Sequence, residues 1–364
     1  MEYNITYRQK DKGWQFIISY KVNGIWKQKS KQGFKTKKDC KSHSEILLSE
    51  FKNNLELNIE EGSEFLTIGQ LKKEYLSHIE THREYNTLLN YQQSLNYFDI
   101  DNIEVVKLRL HDVQKCTNGL ANKYSLSTIQ RRTTIFKCML NFAHRQYNLP
   151  IPSMANLTLP TSNKEPISKR ALNKDEEIKL LDTYFTKGND YYLVVLLALK
   201  IGLRVGEIMG LTWYDIDFSN SILKVNKQWK INKLTKKWGF GELKSKNSYR
   251  DVPIPTNTLK ELQRIKSSLE DGKIVTLNFN DSRLIGSTST QSISVNLDKQ
   301  LQRNFKVCIH ELRHTYATNL ISNGVDFKTA AKLLGHDIEQ TMKTYAHVTD
   351  DMMKKTADLI SRIF

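Results

Sequence analysis

Four of the six prolines, Pro150, Pro152, Pro160 and Pro166, fall inside 17 residues of a 364-residue chain. Proline fixes φ, lacks the amide donor that helices and sheets use, and pushes the preceding residue out of the helical region. Neither a helix nor a central strand can therefore run through this stretch, and residues 151–168 read as an extended, semi-rigid linker. Whatever the chain folds into, it folds as separate bodies on either side.

Hydrophobic periodicity divides the part before the linker. "YNITYRQ", "WQFIISY" and "GIWKQKSK" alternate or cluster aromatic and β-branched residues, with Asn23-Gly24 between the last two as a hairpin turn. Three strands are expected, followed by a helix that starts at Thr36 with Asp39 and turns Ile46, Leu47, Phe51 and Leu55 toward the sheet. From Phe65 the period becomes helical. Thr67 caps a helix carrying Ile68, Leu71, Tyr75 and Ile79, a second carries Leu88 to Phe98, and Leu126–Tyr147 is a long helix with Ile135, Phe136, Met139 and Ala143 inward. Domains are thus expected at 1–60 and 64–150, the second all-helical.

After the linker, Asn173 and Glu176 form a capping box, and Tyr191–Lys200 makes a buried helix that Gly202 ends. Arg204 and Glu207 follow on a short helical turn. "SILKVNKQW" and "SYRDVPI" read as strands around "GFGELKSKNS", which places Lys244 on or beside a turn. Helical pattern returns at Thr256–Leu269 and Thr290–Phe305. In the stretch from His310 to Tyr345, Asn323-Gly324 ends one helix, Asp326 caps the next and Gly335 stops it. Residues 351–364 form an amphipathic tail. The fold class that emerges is multidomain α+β: a small three-stranded sheet plus helix, an all-helical domain, and a mixed, mainly helical domain over 169–364 with a small antiparallel sheet.

Charge narrows the function. With 55 Lys+Arg against 39 Asp+Glu the formal charge is +16, and Met1–Lys41 alone holds eleven basic residues against three acids. A polyanion is the expected partner, and double-stranded DNA fits it better than a membrane surface. Arg8, Lys27, Lys29 and Lys31 in the first module, and Arg131 and Arg132 on the long helix, are the candidate DNA contacts. No apolar run reaches the length of a membrane span, and the opening residues lack a secretory pattern. Four scattered cysteines without a Cys-x-x-Cys pair argue against a disulfide framework or a thiolate metal site. The expectation is a reduced, cytoplasmic protein.

Two chemistries compete for His310–Tyr345. "HELRH" fits the His-Glu-x-x-His zinc pattern, with His310 and His314 four apart and Glu311 as base. The extended zinc pattern fails, because Ala317 and Leu320 stand where the further Gly and His belong. The alternative is phosphoryl transfer to a tyrosine. Attack on a phosphodiester builds charge on two non-bridging oxygens, which guanidiniums such as Arg204 and Arg313 clamp with paired hydrogen bonds. His310 and His336 can donate or move a proton, and Lys244 can protonate the departing oxygen. Ionising a tyrosine of pKa about 10 at pH 7 costs about 4 kcal/mol, which the surrounding cations are expected to share. Singly each residue has an ordinary explanation, and Tyr345 is one of sixteen tyrosines.

Order and spacing change that. Gly202-Leu203-Arg204 with Glu207, Lys244 in "LKSKNSYRDVPI", His310-Glu-Leu-Arg313, Leu334-Gly335-His336 and Tyr345-Ala-His347 resemble the successive boxes of the tyrosine recombinases, the integrase family of phage lambda. Ile201, where Thr or Ser often precedes the first glycine, is a departure that bears on packing. The resemblance implies Tyr345 as nucleophile, Lys244 as general acid, Arg204, Arg313, His310 and His336 on the phosphate, and Glu207 as a brace, with neither cofactor nor metal. It leaves Glu311 and His314 incidental. It further implies arm and core attachment sites, a tetramer on DNA, and a host bending factor and an excisionase as partners. The basic first module points to a mobile-element integrase; a conjugative-transposon integrase, or a DNA-binding regulator with unused boxes, is the alternative.

Overall fold

The structure is a computed structural model that describes residues 3–10, 13–22, 25–56, 65–161, 170–186, 190–270, 282–287 and 289–345. The Asn23-Gly24 turn, residues 162–168 of the linker, His347 and the expected amphipathic tail lie outside the described residues. The chain divides into two compact units at Pro166, inside the proline cluster.

The first unit holds two separate cores. Strands β1 (Tyr3–Lys10), β2 (Gly13–Val22) and β3 (Ile25–Phe34) form an antiparallel sheet in that order, with helix α1 (Lys37–Glu56) against it. Thr36 starts α1 as expected, its hydroxyl accepting from the Asp39 amide at 3.1 Å. Phe16, Ile18 and Tyr20 of β2 are buried with Cys40 and Leu48. The expected helix face is corrected at Ile46, which is 54% exposed; Cys40, Ser44 and Leu48 are the buried row, a strict four-residue repeat.

The second core is helical: α2 (Ile68–His82), α3 (Tyr85–Leu95), α4 (Leu110–Asn118) and α5 (Leu126–Tyr147). Thr67 and Gln70 close a capping box on α2. Phe98 lies beyond the end of α3, not on it as its spacing suggested, yet still reaches the core by stacking on Phe136 at 4.2 Å.

In the second unit α6 (Lys174–Phe185) opens on the Asn173–Glu176 capping box, and the next helix, α7 (Asp190–Lys200), is buried from Leu193 to Leu199. Helix α8 (Val205–Met209) leads to β4 (Ile216–Asp217), β5 (Ile222–Val225), β6 (Gln228–Ile231), β7 (Trp238–Gly241) and β8 (Arg250–Pro253). The run "SILKVNKQW" is not continuous: β5 pairs with β4 and β8, whereas β6 pairs with β7 in a separate hairpin. The break falls at Asn226-Lys227, where the Lys227 ammonium is drawn to the Asp215 carboxylate. Lys244 therefore follows a strand hairpin, on the segment joining β7 to a 3₁₀ turn at Lys246–Ser248.

Helices α9 (Thr256–Glu270), α10 (Thr290–Phe305), α11 (Ile309–Ser322) and α12 (Phe327–Leu334) complete the unit. Helix α11 packs on the apolar α7. Asp326 caps α12 through the Thr329 amide at 2.9 Å, and Gly335 ends it in the left-handed region at φ +62°. Residues 338–345 are helical and carry Tyr345.

Candidate active site

A cleft of about 680 Å³ in the second unit is lined by Arg204, Lys244, His310, Arg313, His336 and Tyr345 together with Glu207. Every residue expected to act in catalysis thus meets at one place. The segments that bring them are far apart in sequence, so the convergence is tertiary.

The carboxyl end of α12 organises the centre. Its last carbonyls have no partner within the helix, and three arginines take them one by one. Arg250 Nε donates to Leu333 O at 2.7 Å, Arg313 Nη2 to Leu334 O, and Arg204 Nη2 to Gly335 O at 3.0 Å. Positive charge at a helix carboxyl end is favourable. Gly335 is required here both by its positive φ and by crowding, since a Cβ would sit 3.0 Å from Arg250 Nη1 and 3.1 Å from Asn247 O. Arg313 also donates from Nη1 to Gly202 O at 2.7 Å. Gly202 adopts φ +73°, and a Cβ there would lie 2.2 Å from Tyr316 Cδ1. The two glycine turns thus present carbonyls to the arginines that the cleft needs.

Glu207 balances this charge. Its Oε1 accepts from Arg204 Nη1 at 2.7 Å, its Oε2 from Arg250 Nη2 at 2.8 Å, and Arg313 Nη1 stands 3.8 Å from Oε2. Burial alone would raise its pKa, but hydrogen bonding and charge from Arg250, then Arg313 and Arg204, together bring it down to about 2. Arg313 is pressed down to about 9, first by burial and then by Arg204. It stays charged at neutral pH. His336 is held down to about 3 by burial and then by Arg313, Arg204 and His310, so its imidazole is neutral. Arg313 has only donors, and its Nη2 lies 2.8 Å from His336 Nε2, so that nitrogen accepts and the ring proton sits on Nδ1. Nδ1 is buried with no hydrogen-bond partner among the described residues, as is Arg313 Nε. Lys244 and His310 are exposed at the cleft.

Tyr345 differs from expectation. Its ring is 3% exposed, and burial pushes its pKa up to about 12, with Arg313 opposing. Arg313 favours its ionisation but is outweighed by burial: a pKa near 12 implies roughly 7 kcal/mol at pH 7.

Residues 170–352 match the family described as "Phage integrase family", about half of the chain, and residues 4–54 match the "Arm DNA-binding domain". The chain belongs to the phage integrase family. It is a tyrosine-type site-specific recombinase of the phage or conjugative-transposon integrase kind. A tyrosine recombinase XerC-like protein of Caldanaerobacter subterraneus subsp. tengcongensis is 27% identical over 361 residues, covering 91% of this chain and 90% of that one. Among solved structures, the Tn1549 transposon integrase in complex with circular intermediate DNA superposes with a TM-score of 0.63 at 21% identity, over 81% of this chain and 99% of that one. A lambda integrase tetramer bound to a Holliday junction gives 0.56 at 17% identity, over 91% and 95%. No helix among the described residues is long and apolar enough to cross a membrane.

Several expectations for this integrase change. Arg132 is not offered to a DNA backbone: it is buried, with its guanidinium carbon 3.5 Å from the Tyr97 ring centre and 3.6 Å from that of Tyr124. Arg131 next to it is exposed. Lys27, Lys29 and Lys31 pair directly with Tyr20, Ile18 and Phe16. Directly paired residues share a face, so this lysine row lies on the side that α1 covers. Lys31 Nζ accordingly meets His43 of α1 at 3.2 Å. Arg8, paired with Gln15, is on the opposite, open face. The HELRH pentapeptide is also used otherwise. Glu311 closes the start of α11 on the Cys308 amide at 2.7 Å, and His314 stacks on Tyr345.

The sequence reading missed Arg250, which it quoted only as part of the strand "SYRDVPI", and it set His314 aside as incidental. Only their burial among charged or reacting groups marks them out.

Proposed function

We propose that this chain cuts and rejoins double-stranded DNA at attachment sites through Tyr345, and so integrates a phage or related mobile element. The observation that carries the proposal is the meeting of two arginines, two histidines, a lysine and a tyrosine in one cleft. In this reading Tyr345 Oη passes its proton to a cleft histidine as it attacks the scissile phosphorus, the bond to the 5′ oxygen breaks, and a 3′-phosphotyrosyl link forms. Lys244 gives its proton to the leaving 5′ oxygen. Arg204 and Arg313 hold the non-bridging oxygens, His310 and His336 donate to them or shuttle protons, and Glu207 keeps the arginines in place. Bond energy stays in the covalent link, so the step needs neither a nucleotide cofactor nor a metal.

Four protomers would exchange strands on two duplexes. The amino-terminal sheet would bind arm sites through its open face, with Arg8, while Arg131 tracks the core duplex. A host bending factor and an excisionase would set direction and permit excision. The protein would act in the cytoplasm of a bacterial host. A regulator with unused boxes is favoured by one observation, the burial and raised pKa of Tyr345.

A nicked attachment-site duplex distinguishes the readings. The integrase leaves a detergent-resistant protein–DNA adduct, unaffected by chelator and lost in Tyr345→Phe with DNA binding retained. A regulator shifts the duplex without any adduct, and an adduct persisting in Tyr345→Phe would refute the nucleophile.

A further inference from the structure

We propose that His314 is a positioning residue for Tyr345, its imidazole face being the platform that sets the phenol against the Arg313 side of the cleft. The inference rests on the reading of Tyr345 as nucleophile. The two rings stack with centroids 4.9 Å apart and planes inclined by 22°. Both are buried, His314 to 5% exposure and Tyr345 to 3%, so the stack is an enclosed contact.

Three features give the contact a function beyond filling space. His314 follows Arg313 on α11, and both line the cleft with Tyr345. Any contact that holds the phenol to His314 therefore also fixes its distance from the guanidinium assigned to the phosphate. Next, the other buried members of the tyrosine's packing cluster, Ala317, Ile321, Ala330 and Leu334, are aliphatic, and its further aromatics, Tyr316 and Phe327, are only partly buried. Two of the buried members are alanines, which leave room for the ring and offer it no flat partner. Finally, the ring sits at residue 345 of a helical segment that begins at 338, on a different element from the arginines. Its Oη can be placed to within the fraction of an ångström that in-line attack requires only by a contact between elements. A flat imidazole provides that contact: it restricts the tilt of the phenol while leaving rotation and sliding within the ring plane free. The nucleophile can then advance toward a bound phosphate along a defined track.

The test compares His314→Ala, His314→Leu and His314→Phe in the full-length protein on the nicked duplex. It follows the first-order rate of adduct formation at saturating DNA, the Kd for the same duplex, and the thermal midpoint. A displaced nucleophile costs on the order of 100-fold in rate, so His314→Ala and His314→Leu are expected to lose about 10- to 100-fold, with Kd within about twofold. His314→Phe, which restores a flat face, is expected within about threefold of the wild type. Leucine fills similar space without a flat face, so a merely structural role would be rescued by either residue. Should His314→Ala fail to fold, the Leu and Phe variants decide alone. A His314→Leu rate equal to the wild type would overturn the proposal. So would a His314→Phe rate as low as that of His314→Leu, which would assign the ring nitrogens instead. Tyr345→Phe runs in parallel: an adduct there refutes the nucleophile itself, whatever His314 does.

Discussion

Glu207→Gln removes one negative charge and almost no volume from the centre of the site. Arg250 and Glu207 are both nearly fully buried, with side chains 1% and 3% exposed, and Arg204 and Arg313 share the same carboxylate. Three guanidiniums would then face an amide that can satisfy them only in part. Removing one partner of a buried pair costs about 3–5 kcal/mol. The titration of Glu207 gives an independent figure: a fall from 4.5 to about 2 corresponds to roughly 3 kcal/mol. The sign follows from a depressed carboxylate pKa. The stabilisation is complete above pH about 4.5 and is lost as pH falls toward about 2. In a unit of this size 3–5 kcal/mol lowers the thermal midpoint by about 6–20 °C. Urea midpoints of wild type and Glu207→Gln, followed by a probe in the second unit at pH 7, 5 and 3, provide the assay. The gap should be wide and constant down to pH 5 and narrow below it. A variant as stable as the wild type at pH 7, or a gap that does not shrink with acid, would refute the charge-balance account.

Gly202→Ala should destabilise the second unit by about 2–5 kcal/mol, combining left-handed strain with overpacking against Tyr316; chemical denaturation measures it, and a loss below 1 kcal/mol would show that Tyr316 yields freely. Arg132→Met should cost about 2 kcal/mol as the desolvated contact between Tyr97 and Tyr124 is lost, while the slope of log K against log salt for core DNA stays unchanged. Arg131→Gln, by contrast, should lower that slope by about 0.9 if one phosphate contact is lost.

Much of the architecture was legible because it is local. The Asn173–Glu176 box, the Asp326 cap, the Gly202 and Gly335 turns and the long α5 depend on residues within four or so positions of each other. Their chemistry is visible in any short window. The candidate catalytic set was legible by order: six residues of suitable type in a recognised sequence of boxes, which the fold brings to one cleft. What stayed hidden was which surface another element covers. The lysines of β3 have the right charge and the right two-residue period, yet period alone does not say which face the helix takes. Arg132 and Arg131 are adjacent on α5, and only the placement of Tyr97 and Tyr124 sends one inward and leaves the other exposed.

The sequence by itself determined the division at the proline cluster, the kinds of element on either side, and the identity of the groups that can clamp a phosphate and attack it. Tertiary structure alone decided how those groups stand: three arginines on the carboxyl end of α12, one carboxylate balancing them, and Tyr345 buried on the face of His314. The physical reason is range. Caps, turns and periodicity arise between neighbours along the chain, whereas burial, charge balance and ring stacking arise between segments that only the folded chain brings together.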